Sequence, residues 1–180
     1  DLTDASFQER VRDLSFIVDQ MEQWDRSDPF FAGRLDLSRI AALGASWGGG
    51  VVAEFCRVDP RGKAAIVLEG YFQNVGSALL KNSLIKPVLS IYRGDSFDSD
   101  LFNKLAQDAI WFQVSKTRHE DLCGWGYWPS GTTTATQNAW EVNRTVNAYM
   151  VWFLDKYLKG STDPMPPVKN YPRIFNFQQK

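Results

Sequence analysis

Imidazole and thiol are scarce in this chain: His119 is the one histidine, and Cys56 and Cys123 are the two cysteines among 180 residues. One histidine and two distant cysteines make a poor ligand set, so no metal site or other cofactor is expected. Two cysteines also allow at most one disulfide, and their spacing does not say whether it forms. Neither sign of charge dominates: 20 Lys and Arg against 21 Asp and Glu leave a net −1, and no basic stripe marks a nucleic-acid partner. Long apolar runs are missing too, so no segment reads as a bilayer span. The chain opens without an initiator methionine and without a signal-peptide pattern, directly into a helical repeat.

What is present suits one domain with a real core, since 44% of the residues are hydrophobic. Seven tryptophans are a high number; most are expected to fill the core, and those near the segments below suit an apolar substrate cleft. Cys56 fits the buried face of a helix, where a free thiol packs as a small hydrophobe. Asn143-Arg144-Thr145 is an N-glycosylation sequon and leans toward a secreted, glycosylated protein.

The chain is organised around Leu43-Gly44-Ala45-Ser46-Trp47-Gly48-Gly49-Gly50, which contains G-x-S-x-G. An apolar run over 40–43 reads as a strand leading in, and 51–56 reads as a helix leading out. Strand, turn and helix in that order are the context of a nucleophile elbow. Gly44 and Gly48 lack side chains, so strand and helix pack closely around a strained turn that pushes Ser46 outward. The following helix offers free N–H groups in its first turn, and that of Trp47 points toward an oxyanion forming on a substrate.

Residues 4–24 carry a helical stripe of Val11, Leu14, Ile17, Val18 and Met21, with Thr3 or Asp4 as its cap. After the elbow, the helix runs to about Arg57 and Asp59-Pro60-Arg61-Gly62 makes a turn. The unbroken apolar run 64–68 predicts a strand buried on both faces, ending in Glu69. A connection over 73–86 contains a short helix at 76–81. A strand over 87–92 ends in Arg93-Gly94-Asp95, and a short helix follows over 100–107. A strand over 110–114 runs into His119, then into a loop rich in Gly and Trp at 124–128 that is placed to wall an apolar pocket. A long helix spans 137–158 and stops at Gly160; 163–167 is an extended surface tail. Alternating strands and helices predict an α/β fold with a mostly parallel sheet and flanking helices. Ser46, Glu69, Asp95 or Asp98, and His119 then all sit at the C-terminal ends of strands, the edge on which open α/β sheets build their sites.

A serine nucleophile needs a base in reach and a carboxylate to orient that base. His119 is the one available base. The order Ser, acid, His is that of the α/β-hydrolase layout. The acid is open between Glu69, which is the more enclosed, and Asp95 or Asp98, which follow the next strand in a polar loop.

The stretch from Arg39 to Gly50, then Asp59-Pro60-Arg61-Gly62-Lys63-Ala64, then Leu68-Glu69-Gly70 resembles the platelet-activating-factor acetylhydrolase family of α/β-hydrolases, its secreted fungal members in particular. Thr117-Arg118-His119 is similar to the family's histidine segment, and the likeness covers 39–121. It implies that the acid is on the strand directly after the nucleophile strand, at Glu69. Two positions depart from the family: Ala45 stands in place of a histidine that transfers no proton, and Glu69 in place of Asp. The second lengthens the acid by one methylene and keeps Asp95 and Asp98 as alternatives.

The resemblance also implies several strands before the nucleophile strand, and a loop there with the second oxyanion N–H. Without them, the strand over 40–43 is a bare apolar sheet edge, which soluble proteins avoid. Residues 1–180 are therefore expected to be the C-terminal part of a single α/β-hydrolase domain lacking its N-terminal strands. The rest is expected as a separate chain of the same processed precursor, forming a heterodimer that completes the sheet and the site. Three functions fit: hydrolysis of carboxylic esters through an acyl-enzyme, acyl transfer or cyclisation on the same triad, and a non-catalytic hydrolase-fold binding protein. Intact Ser46, His119 and a carboxylate favour the catalytic readings, since binding requires none of them.

Overall fold

The doubly apolar runs are the strands of one sheet in this computed structural model, which describes residues 3–70, 84–95, 102–103, 105, 108–122 and 133–180. β1 (Ile40–Ala45), β2 (Gly62–Leu68), β3 (Val88–Arg93) and β4 (Ala109–Val114) lie parallel in that order. β5 (Ile174–Gln179) adds antiparallel to β4. The two-residue period of a strand sends Ala65, Val67, Val88, Tyr92 and Trp111 to one face and Ile66, Leu68, Leu89, Ile91 and Phe112 to the other.

Each face has its own helices. α1 (Asp4–Ser27) and α2 (Trp47–Val58) cover the first through Phe7, Val11, Val18, Val52 and Phe55. α3 (His119–Leu122) is a single turn after β4, and α4 (Thr133–Lys159) covers the second face through Val142, Val146, Tyr149 and Phe153. Thr3 caps α1 reciprocally with Ser6, as its hydroxyl accepts the Ser6 N–H and the Ser6 hydroxyl accepts the Thr3 N–H. The expected stripe of α1 is only partly its buried seam: Phe7 is fully buried, whereas Ile17 is 48% exposed. The mostly parallel α/β architecture is as the sequence predicts.

Two features hold the elements in register. Arg61, in the turn between α2 and β2, bonds Asp59 with Nη2 (2.7 Å) and Asp19 and Glu22 of α1 with Nη1 (2.6 and 3.0 Å). Lys86 donates to the Asp59 carbonyl at 2.7 Å. Cys56 is fully buried in α2 with its thiol directed at the Ala64 carbonyl (3.4 Å), and burial pushes that thiol up to about 11. It is a free cysteine, packed as the sequence suggests.

The segment 163–167 is pinned to α4: the Tyr149 hydroxyl donates to the Pro166 carbonyl and the Trp152 indole N–H to that of Asp163. The expected helix at 76–81, the loop at 124–128, Asp98 and Cys123 lie outside the described residues; of the expected helix at 100–107 only 102–103, which are helical, and 105 are described. Among the described residues, no helix is long and apolar enough to cross a membrane.

Candidate active site

β1 is an edge strand, hydrogen-bonded to β2 alone. At its end the chain turns through Ser46, whose φ of 55° and ψ of −130° are foreign to a side-chain-bearing residue. Such a conformation costs about 1–3 kcal/mol and persists only where its surroundings impose it. Here they do. The Ser46 N–H donates to the Leu68 carbonyl of β2 and its own carbonyl accepts the Gly49 N–H, both at 2.9 Å. The Ser46 side chain makes no capping bond to α2, so the hydroxyl is not spent on the helix it precedes. Trp47 opens α2, and the first N–H groups of a helix have no acceptor within it.

The glycines divide the work differently from the expectation. A Cβ on Gly44 would stand 2.5 Å from the Gly48 carbonyl carbon and 2.9 Å from the Gly49 nitrogen. One on Gly49 would stand 2.9 Å from the Gly70 Cα, whereas one on Gly48 would meet nothing within 4 Å. Gly44 and Gly49 therefore carry the close approach among the described residues, and Gly48 supplies backbone to it.

Glu69 ends β2 just as Ser46 ends β1, since each follows a member of the Ala45–Leu68 register pair. Its φ is also positive, at 53°, and its N–H donates to the Ile91 carbonyl of β3. The side chain is 6% exposed. Its Oε2 accepts the Arg93 backbone N–H at 2.8 Å, and its Oε1 lies 3.5 Å from Arg93 Nε. Asp95, the alternative acid, is 78% exposed and pairs with the same Nε at 3.1 Å.

His119 begins α3 at the same edge of the sheet, half-buried. Thr117 bonds the Val114 carbonyl and buried Asp121 accepts the Arg118 N–H, which fixes the turn that carries it. Two strand positions separate β2 from β4, about 10 Å at the usual strand spacing. No hydrogen bond among the described residues joins His119 to Glu69 or Ser46. The structure thus places Ser46 and Glu69 on adjacent strand ends, with His119 on the same rim beyond β4.

No protein-family model matches the chain, and no curated protein matches it. Among solved structures, it superposes on a ferulic acid esterase from Streptomyces cinnamoneus with a TM-score of 0.72 and 24% identity. The fold is shared with an esterase. The match covers 98% of this chain and 56% of the esterase, so the chain spans a little over half the length of that protein. The likeness to platelet-activating-factor acetylhydrolases stays with the sequence motifs alone.

Sequence reasoning missed Arg93 and Gln113. Arg93 lies against the two described acid candidates, Glu69 and Asp95, and the buried Gln113 amide donates to the Arg93 and Gly94 carbonyls. An arginine after a strand gives no signal of its own; only the fold brings it to Glu69. Beside the elbow, a cavity of about 330 Å³ opens along β1 between Arg10, Leu14, Leu43, Trp47 and Gly48. The sequon lies within α4, where the Asn143 amide donates to the Ala139 carbonyl and Thr145 is buried.

Proposed function

We propose that this chain carries the acyl-transfer residues of a serine hydrolase acting on carboxylic esters. The observation that carries the reading is Ser46, held at φ 55° between a parallel strand and a helix with its hydroxyl uncommitted to the cap. In this reading Ser46 Oγ attacks the ester carbonyl while His119 takes its proton. The Trp47 N–H donates to the oxyanion. The C–O bond to the alcohol breaks as His119 returns the proton, and water then releases the acid from Ser46 by the same route. Glu69 orients the imidazole; its burial and its hydrogen bond from the Arg93 N–H support it over the solvated Asp95. In this reading the His119 side chain reaches between Ser46 and Glu69 along the shared rim.

The exposed edge of β1, with Leu43 52% exposed, and the unmatched part of the esterase chain support a partner for this one. That partner is an N-terminal segment of the same precursor, which lies along β1 and brings the second oxyanion donor. Secretion with a glycan on Asn143 belongs to the same proposal. Since Thr145 is buried in α4, the sugar is added before that helix docks.

Native material is treated with a fluorophosphonate, separated on a denaturing gel and mapped by peptide. Label on Ser46, absent in Ser46→Ala, with a second unlabelled chain co-purifying, is the expected result. Folded native protein without label at Ser46 overturns the hydrolase reading. Release of product in ¹⁸O-water then separates hydrolysis, which puts the isotope in the acid, from transfer.

A further inference from the structure

We infer that Arg93 is a positioning residue for the acid Glu69, itself held by a polar relay that starts on β5; the inference rests on the hydrolase reading above. A carboxylate that is 6% exposed is costly to bury without hydrogen bonds and a counter-charge. Arg93 supplies both from one residue: its backbone N–H bonds Oε2 at 2.8 Å, and its Nε stands 3.5 Å from Oε1. That longer separation matters. Oε1 is held by charge and not by a short aligned bond, so it keeps lone-pair capacity for an imidazole N–H. The other carboxylate at Nε, Asp95, is 78% exposed and its pairing is screened by water. Glu69 is thus the acid whose geometry depends on Arg93. Glutamate also has one more rotatable bond than aspartate, and the clamp removes that freedom.

The clamp is braced from behind. Gln113, 3% exposed on β4, donates through Nε2 to the carbonyls of Arg93 (3.3 Å) and Gly94 (3.4 Å). Asn176 on β5, at φ 49°, donates to Gln113 Oε1 at 2.7 Å. Polar contacts therefore run from β5 through β4 and β3 to the residue that ends β2.

The test compares the protein expressed from its full coding sequence with Arg93→Met, Arg93→Lys and Gln113→Leu. It reads the second-order rate of fluorophosphonate modification at Ser46, kcat and KM on an ester, and the unfolding midpoint. Arg93→Met is expected to lose about tenfold or more in labelling rate and kcat, a share of the roughly 10²–10⁴-fold that general-base catalysis supplies. KM stays as it was, Arg93→Lys recovers part of the rate, and Gln113→Leu loses less than Arg93→Met. If Arg93→Met fails to fold, the lysine and Gln113→Leu variants carry the comparison. Wild-type rates in the variants overturn the inference while leaving the hydrolase reading intact. So does an Asp95→Asn variant that loses as much as Arg93→Met, because Arg93 would then serve the other acid. Absence of label on unmodified protein is the separate failure of the hydrolase reading itself.

Discussion

Ser46 occupies a backbone conformation that glycine adopts freely and serine does not. Ser46→Gly is therefore expected to raise unfolding stability by about 1 kcal/mol, while Ser46→Ala gives no such gain; both abolish labelling. Denaturant titration of the pair separates strain held for the hydroxyl from strain that is merely tolerated. The neighbouring glycines make the complementary case. Gly44→Ala drives a methyl group into the Gly48 carbonyl and is expected to cost about 1–3 kcal/mol or to prevent folding. Gly48→Ala meets open space on a helix and is expected to be neutral or stabilising by up to about 1 kcal/mol. Equal midpoints for the two variants would contradict this division of labour. At this scale the motif alone singles out Ser46 as the candidate. It does not distinguish Gly44 from Gly48, because which glycine faces a neighbour depends on how α2 crosses β1.

The Arg61 clamp ties α1 to the α2–β2 turn. Its bond to Asp59 holds that carboxyl well below the usual carboxylate range. A depressed folded value adds stability above the unfolded value of about 3.9, and that stability is lost as pH falls through the folded one. The wild type is accordingly expected to lose stability from about pH 4 downward. Arg61→Ala is less stable by about 2 kcal/mol at pH 7, and the difference shrinks as the solution is acidified. Unfolding midpoints at pH 7, 4 and 2.5 check the sign; a gap constant with pH counts against the pairing. Asp19 and Glu22 are far more exposed than Asp59 and contribute little. Among the elements, β2, β3 and β4 are legible because burial on both faces leaves continuous apolar runs. β5 is not, because an outer strand reading Ile-Phe-Asn-Phe-Gln-Gln mixes polar with apolar residues and pairs with a strand sixty residues earlier. The placement of His119 past β4 is legible too. Where its side chain points is not, because that depends on how α3 is seated.

Among the described residues, β2, β3 and β4 are flanked on both sides, whereas β1 and β5 are the edges of the sheet. Amide exchange should reflect this, with β1 protons exchanging faster than those of β2, β3 and β4. A segment added along β1 should slow exchange there first. Leu43→Lys, at the exposed face of that edge, is expected to keep this chain monodisperse by itself and to weaken association with the proposed N-terminal segment. Size exclusion with and without that segment reads both effects, and unaltered association would remove β1 from the contact. The bond from the Ser46 N–H to the Leu68 carbonyl has a further consequence. It spans the seam between the edge strand β1 and β2, so the elbow exists only while that seam is closed. In the proposed hydrolase, turnover is then multiplied by a duty cycle, the fraction of time β1 is zipped to β2. A neighbour that touches no substrate can set the rate simply by lengthening it.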